Sequence, residues 1–84
     1  MHFKLFSRSY CHLCDDMLVQ LRTHLPSQEA AIDVIDVDED ENLVAQYDEL
    51  VPVLVGKKSD GEWQEICHHF LDLKKLSDFL NDEN

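Results

Sequence analysis

Apolar and polar residues alternate from Phe3 to Phe6, which predicts a short strand ending at Ser7. The period then changes. Cys14, Met17, Leu18, Leu21 and Leu25 recur at helical spacing and give one apolar face to a helix opened by Cys11. Asp15 and Asp16 fall in its first turn, where the helix dipole favours carboxylates; Pro26 ends it, and Ser27 to Glu29 turns the chain. Ile32, Val34, Ile35 and Val37, interleaved with Asp33, Asp36 and Asp38, read as a second strand, because β-branched side chains favour extended backbone. A helix between these strands predicts that they run parallel, joined by a right-handed crossover.

Asp38, with Glu41 three residues later, resembles a helix start, and Leu43, Tyr47 and Leu50 supply the face of a short second helix. Val51 to Val55 is a compact apolar strand with Pro52 near its beginning. Ser59, Asp60 and Gly61 make a turn, after which Trp63 to Cys67 returns as an antiparallel strand. Asp72 caps a last helix whose face is Leu73, Leu76, Phe79 and Leu80, and Asn81 to Asn84 should fray. The order β-α-β-α-β-β-α, without repeat or linker, predicts an α/β fold built as one domain over residues 1–84.

Composition narrows the partners. An apolar share of 44% suits a packed core. Eighteen acidic residues against seven basic ones leave a net charge of −11, which repels phosphate backbones and anionic bilayers and argues against nucleic acid or membranes as partners. Solubility accounts for most of that charge, and steering of basic partner proteins is a second use for it. No stretch approaches the roughly 20 apolar residues of a membrane span, and Met1 to Ser7 is too poor in apolar residues for a signal-peptide core. The expected location is therefore cytoplasmic, and the expected state at this size and charge is a monomer. Structural disulfides are rare in a reducing compartment, so closely spaced cysteines there point to catalysis or metal binding.

Cys11-His12-Leu13-Cys14 is such a pair, placed after a strand and at the mouth of a helix. The spacing lets both sulfurs meet within one turn, and the unpaired N–H groups of a helix N-terminus stabilise a thiolate. Cys11 lies at the outer edge and is the expected nucleophile. Cys14 shares the face of Met17 and Leu21 and is the shielded, resolving thiol. Arg8, three residues earlier, is placed to support the thiolate; Asp15 and Asp16 act in the opposite sense. His12 either tunes the thiol when protonated or is a solvated loop residue. Tyr10 is placed to shape the approach to Cys11, whereas Trp63 reads as packing across the hairpin. Proline in the apolar run Val51 to Val55 needs a reason, either a strand start or a cis peptide that turns the Val51 backbone toward an extended substrate.

Ser9-Tyr10-Cys11-His12-Leu13-Cys14 after the first strand, Leu50-Val51-Pro52 before the third and the element order together resemble the glutaredoxins. In particular they resemble small glutaredoxin-like proteins with an acidic residue after the second cysteine, here Asp15. The resemblance spans nearly the whole chain. It implies a thioredoxin-like three-layer α/β/α sandwich with a four-stranded mixed sheet, and thiol–disulfide oxidoreductase activity with Cys11 as nucleophile and Cys14 as resolving thiol. It further implies a cis-proline at Pro52, main-chain hydrogen bonds from Val51 to substrate, and a contact from Arg8 to glutathione. The expected partners are protein or low-molecular-weight disulfides, with glutathione or a thioredoxin-type protein as reductant and no tightly bound cofactor. Two departures weigh against glutathione. His12-Leu13 stands where the family usually has Pro-Tyr, and Cys67-His68-His69-Phe70 stands where a Gly-Gly pair contacts a glutathione carboxylate.

Two other functions fit parts of the pattern. Cys11 and Cys14 are half of a zinc site that Cys67, His68 or His69 would have to complete. The same fold also serves as a non-catalytic protein-binding module. Otherwise Cys67 reads as a small buried hydrophobe and the two histidines as structural residues.

Overall fold

Among the described residues, four strands and three helices follow the order read from the sequence. The strands are β1 (His2–Ser7), β2 (Ala31–Asp36), β3 (Val53–Lys57) and β4 (Gln64–His68). The helices are α1 (His12–His24), α2 (Glu41–Tyr47) and α3 (Leu73–Asn81), with a 3-10 turn at Val37–Glu39 ahead of α2. The computed structural model describes residues 2–25, 31–58 and 61–81. The stop at Pro26, the turn at Ser27 to Glu29, positions Ser59 and Asp60 of the later turn, and the tail beyond Asn81 lie outside these residues.

The sheet runs β2-β1-β3-β4. β1 is parallel to β2, with Ser7 opposite Asp36. It is antiparallel to β3, with Phe6 opposite Val53, and β3 is antiparallel to β4, with Val53 opposite His68. The register therefore gathers the C-terminal ends of β1, β2 and β4 and the start of β3 at one end of the sheet. α1 begins at that same end.

Alternation along the strands builds two cores. Phe3 and Leu5 of β1 and Leu54 of β3 pack with Met17 and Leu21 of α1 and with Leu76 and Phe79 of α3. Phe6, Val53 and Val55 point the other way and, with Val37, are covered by Leu43, Val44 and Tyr47 of α2. The ring of Phe6 stacks on that of Tyr47 with centroids 4.5 Å apart. The layers are thus α1 and α3, the mixed sheet, and α2: an α/β/α sandwich of thioredoxin-like type.

Several boundaries differ from the sequence reading, each for a local reason. The third strand starts at Val53, because Leu50 and Val51 both donate to the Tyr47 carbonyl and extend the turn that follows α2. The second helix is opened by Asp40, whose carboxylate accepts from the Asn42 N–H at 2.8 Å, and not by Asp38, which binds Arg8. Leu50 lies beyond that helix. Val37 leaves the second strand for the 3-10 turn, which Asp36 caps by accepting from the Asp38 N–H at 2.9 Å. The fourth strand starts at Gln64, and Leu73 of α3 is exposed instead of joining the apolar face. A bulge opposite Leu54 and Val55 shifts β4, so that consecutive Ile66 and Cys67 are both buried in the first core.

Gly56 lies where β3 passes under α3. A Cβ there would sit 2.8 Å from Phe79 Cζ and 2.9 Å from Ile66 Cδ1, inside van der Waals contact with both. Gly56→Ala is expected to destabilise the fold by about 1–3 kcal/mol through overpacking. Urea unfolding should show a lower midpoint at unchanged slope.

Candidate redox site

Cys11 is the N-cap of α1, with extended backbone at φ −104° and ψ 101°. Its Sγ accepts from the Cys14 N–H at 3.1 Å, and its carbonyl accepts from the Asp15 N–H at 3.2 Å. Cys11 and Cys14 are joined as a disulfide, with Cα atoms 5.2 Å apart. The two sulfurs are not equally placed. Cys11 is half-buried at the rim, whereas Cys14 is 3% exposed and turned inward on the face shared by Met17 and Leu21.

Tyr10 precedes the pair with a fully exposed side chain and a left-handed backbone at φ 60°. For a residue with a bulky side chain that conformation costs about 1–2 kcal/mol. His12 is exposed, and Leu13 shows 55% of its surface to solvent.

The Val51–Pro52 peptide is cis and precedes β3, at the sheet end where α1 starts. Pro52 is buried and Val51 half-buried. The Val51 N–H donates to the Tyr47 carbonyl at 3.1 Å and is therefore used within the chain. The Pro52 carbonyl accepts from the His69 N–H at 2.8 Å, and His69 reaches it with a left-handed φ of 68°. Histidine is among the residues that tolerate this region. That clip ties the end of β4 to the segment before β3. Its participants lie 17 positions apart (69 − 52), so no local signal announces it.

Arg8 is held by acids. Its Nη2 and Nε donate to the two oxygens of Asp38 at 2.7 and 3.2 Å, and its Nη1 donates to Asp48. Hydrogen bonding to Asp38, reinforced by the charges of Asp38 and Asp48, raises the guanidinium pKa further above its already high value. Three of its donors are thus engaged by carboxylates from the 3-10 turn and the end of α2. Sequence reasoning placed Arg8 beside the thiols but missed these partners, which stand 30 and 40 positions away.

Cys67 is buried in the first core and carries a free thiol. His68 contacts Glu65 at 3.3 Å and stacks edge-on against His69. Among the described residues, no group of three or more His, Cys, Asp or Glu is arranged to hold a metal ion. No helix among them is long and apolar enough to cross a membrane. Trp63 lies against the edge of His2, with Lys4 Nζ 4.4 Å from the ring centroid, at the opposite end of the sheet from Cys11.

A disulfide at the mouth of α1, with a cis-proline segment at the same end of a four-stranded mixed sheet, defines a thioredoxin-fold protein of the C-x-x-C class. The profile of the glutaredoxin-like domain (DUF836) matches residues 2–81, and the chain belongs to that family. The solution structure of protein Ne2328 from Nitrosomonas europaea is similar at 32% identity and a TM-score of 0.77, covering 93% of this chain and 88% of that one. Protein XcR50 from X. campestris is similar at 27% identity and a TM-score of 0.58, covering 94% and 95%. Thioredoxin 1 from Thermosipho africanus, at 23% identity and a TM-score of 0.62 over 95% and 94%, shares the fold. No curated protein matches the chain.

Burial pushes the Cys67 thiol above its ordinary value of 9.0. Such a thiol stays protonated where the unfolded chain ionises, so the fold loses stability as pH rises from that ordinary value toward the folded one. The expected outcome is a shallower alkaline loss of stability in Cys67→Ala than in the parent, measured by urea unfolding in steps from about pH 8 to 10.

Proposed function

We propose that this chain is a thiol–disulfide oxidoreductase that cycles between a Cys11–Cys14 disulfide and the dithiol. The observation that carries the reading is the asymmetry of the pair: a rim sulfur at the helix cap bonded to a buried sulfur one turn further in. In the reduced protein the Cys11 thiolate is stabilised by the Cys14 N–H and the α1 dipole. It attacks one sulfur of a substrate disulfide, forming a mixed disulfide and expelling the other substrate sulfur as a thiolate. Cys14 loses its proton and attacks Cys11 Sγ. That step closes the internal disulfide and releases the second substrate thiolate. Two electrons pass from the dithiol to the substrate, and the protons given up by Cys11 and Cys14 end on the two released thiols.

Tyr10, Val51 and Pro52 form the substrate side of the site in this reading. An extended substrate pairs with the Val51 carbonyl, because the Val51 N–H is held by Tyr47. Arg8 acts through its carboxylate partners to order the loop before Cys11, and His12 tunes the thiol when protonated. Protein or low-molecular-weight disulfides are the substrates, and no bound cofactor takes part. A cytoplasmic thiol reductant, glutathione or a thioredoxin-type dithiol, returns the protein to its reduced form.

Cys11→Ser is expected to lower the rate of disulfide reduction by more than about 1,000-fold, as loss of a nucleophile does. Cys14→Ser should keep the first step and accumulate mixed disulfides, visible by mass spectrometry. Thiol trapping across dithiol redox buffers should give one two-electron transition for Cys11 and Cys14 with Cys67 unchanged. Full activity in Cys11→Ser, or no transition at all, would overturn the assignment.

A further inference from the structure

A substrate that carries carboxylates needs groups to receive them, and at this end of the sheet several such groups among the described residues are engaged by the chain's own carboxylates. Helix N-termini are ready-made anion sites. Here the first turn of α3 is occupied by Asp72, which accepts from the Lys75 N–H at 3.1 Å. The 3-10 turn is filled by Asp36 and the start of α2 by Asp40. The guanidinium of Arg8 is bound to both Asp38 and Asp48, so one cation faces two carboxylates. Asp15 and Asp16 stand exposed in the turns just after Cys11. On the opposing side are Lys74, 3.7 Å from Asp78, and Lys75, both in the first turns of α3. The balance at this end is negative, in line with the whole chain at −11.

The surface here is also apolar. Tyr10 and Leu13 flank Cys11, and Phe70, 68% exposed, follows the His69 clip. Tyr10, Leu13 and Phe70 all belong to segments at the end of the sheet where α1 begins, and exposed apolar side chains at a site are contacts available to a partner.

We propose that the substrate of this site is a polypeptide disulfide with net positive charge and an apolar residue beside its cysteine, and not glutathione disulfide. The inference rests on the oxidoreductase reading and refines it. Glutathione disulfide brings four carboxylates against two ammonium groups and meets an acidic rim whose own carboxylates occupy the anion receptors. A cationic peptide gains Coulomb attraction on approach and buries its apolar residue against Tyr10, Leu13 and Phe70. The chemistry is the same two-electron exchange, with the dithiol oxidised and the peptide disulfide reduced.

The test uses the reduced full chain and four probes: a Lys-bearing peptide disulfide with a leucine beside the cysteine, the same peptide with Glu for Lys, glutathione disulfide, and neutral hydroxyethyl disulfide. The charged residues are set at least two positions from the cysteine, so that thiol leaving ability is matched. At an ionic strength of about 20 mM the cationic peptide should react at least about 10-fold faster than its acidic twin and than glutathione disulfide. The gap between the twins should shrink to about 2-fold near 0.5 M salt. The paired change Asp38→Asn and Asp48→Asn releases Arg8 and should raise the rate with glutathione disulfide, taken relative to the rate with neutral hydroxyethyl disulfide, by about 5-fold. Equal rates for the twins, or a faster reaction of glutathione disulfide, with hydroxyethyl disulfide still reduced, would overturn the charge preference and leave the oxidoreductase intact. No reaction with any of the four would overturn both.

Discussion

Between Phe3 and Phe6 the backbone is hydrogen-bonded on both edges, parallel to β2 and antiparallel to β3, while its side chains fill the cores on both faces. A slip of one residue would send Phe3 and Leu5 under α2 and leave Phe6 facing α3. Two cores therefore hold β1 in one register, and its C-terminal end decides where everything functional lies. Ser7 is held opposite Asp36, and Phe6 opposite Val53. Those two pairings bring the acidic 3-10 turn and the cis-proline segment to the loop that carries Cys11. The site is assembled from segments far apart in the chain, but each hangs from the same strand.

What could be read in the chain depended on how far a signal had to reach. Cys11, Cys14 and Val51-Pro52 were legible because each is a short motif, and α1 because its apolar residues repeat over three turns. The bulge in β4 was not, since alternation predicts that Ile66 and Cys67 face opposite ways, and only the pairing with β3 turns both inward. The start of α2 is hidden from the sequence for a similar reason. Asp36, Asp38 and Asp40 are equally good caps by residue type. Arg8, 30 positions away, removes Asp38 from that competition. The His69 clip on Pro52 and the left-handed backbone at Tyr10 also come from tertiary context.

The acidic composition has more than one use in this fold. Read as a number, −11 suggests little beyond solubility. In the structure, Asp36, Asp40 and Asp72 each satisfy an unpaired N–H at a helical turn, and Asp38 and Asp48 bind the arginine that precedes the cysteines. These carboxylates serve the backbone first, and the field they create around the disulfide follows from that service. An acidic rim is thus built into the way this sheet end is capped.

The same coupling operates at Cys11, where the helix cap and the rim sulfur of the disulfide are one atom. When the disulfide opens, the Cys14 N–H and the dipole of α1 face a thiolate instead of a neutral sulfur. Their interaction with charge is the stronger one, so the N-terminus of α1 favours the reduced form over the oxidised. Asp15, in the first turn of α1, opposes this by repelling the thiolate. The poise of the pair is therefore a difference between two local terms, one from the backbone and one from a side chain.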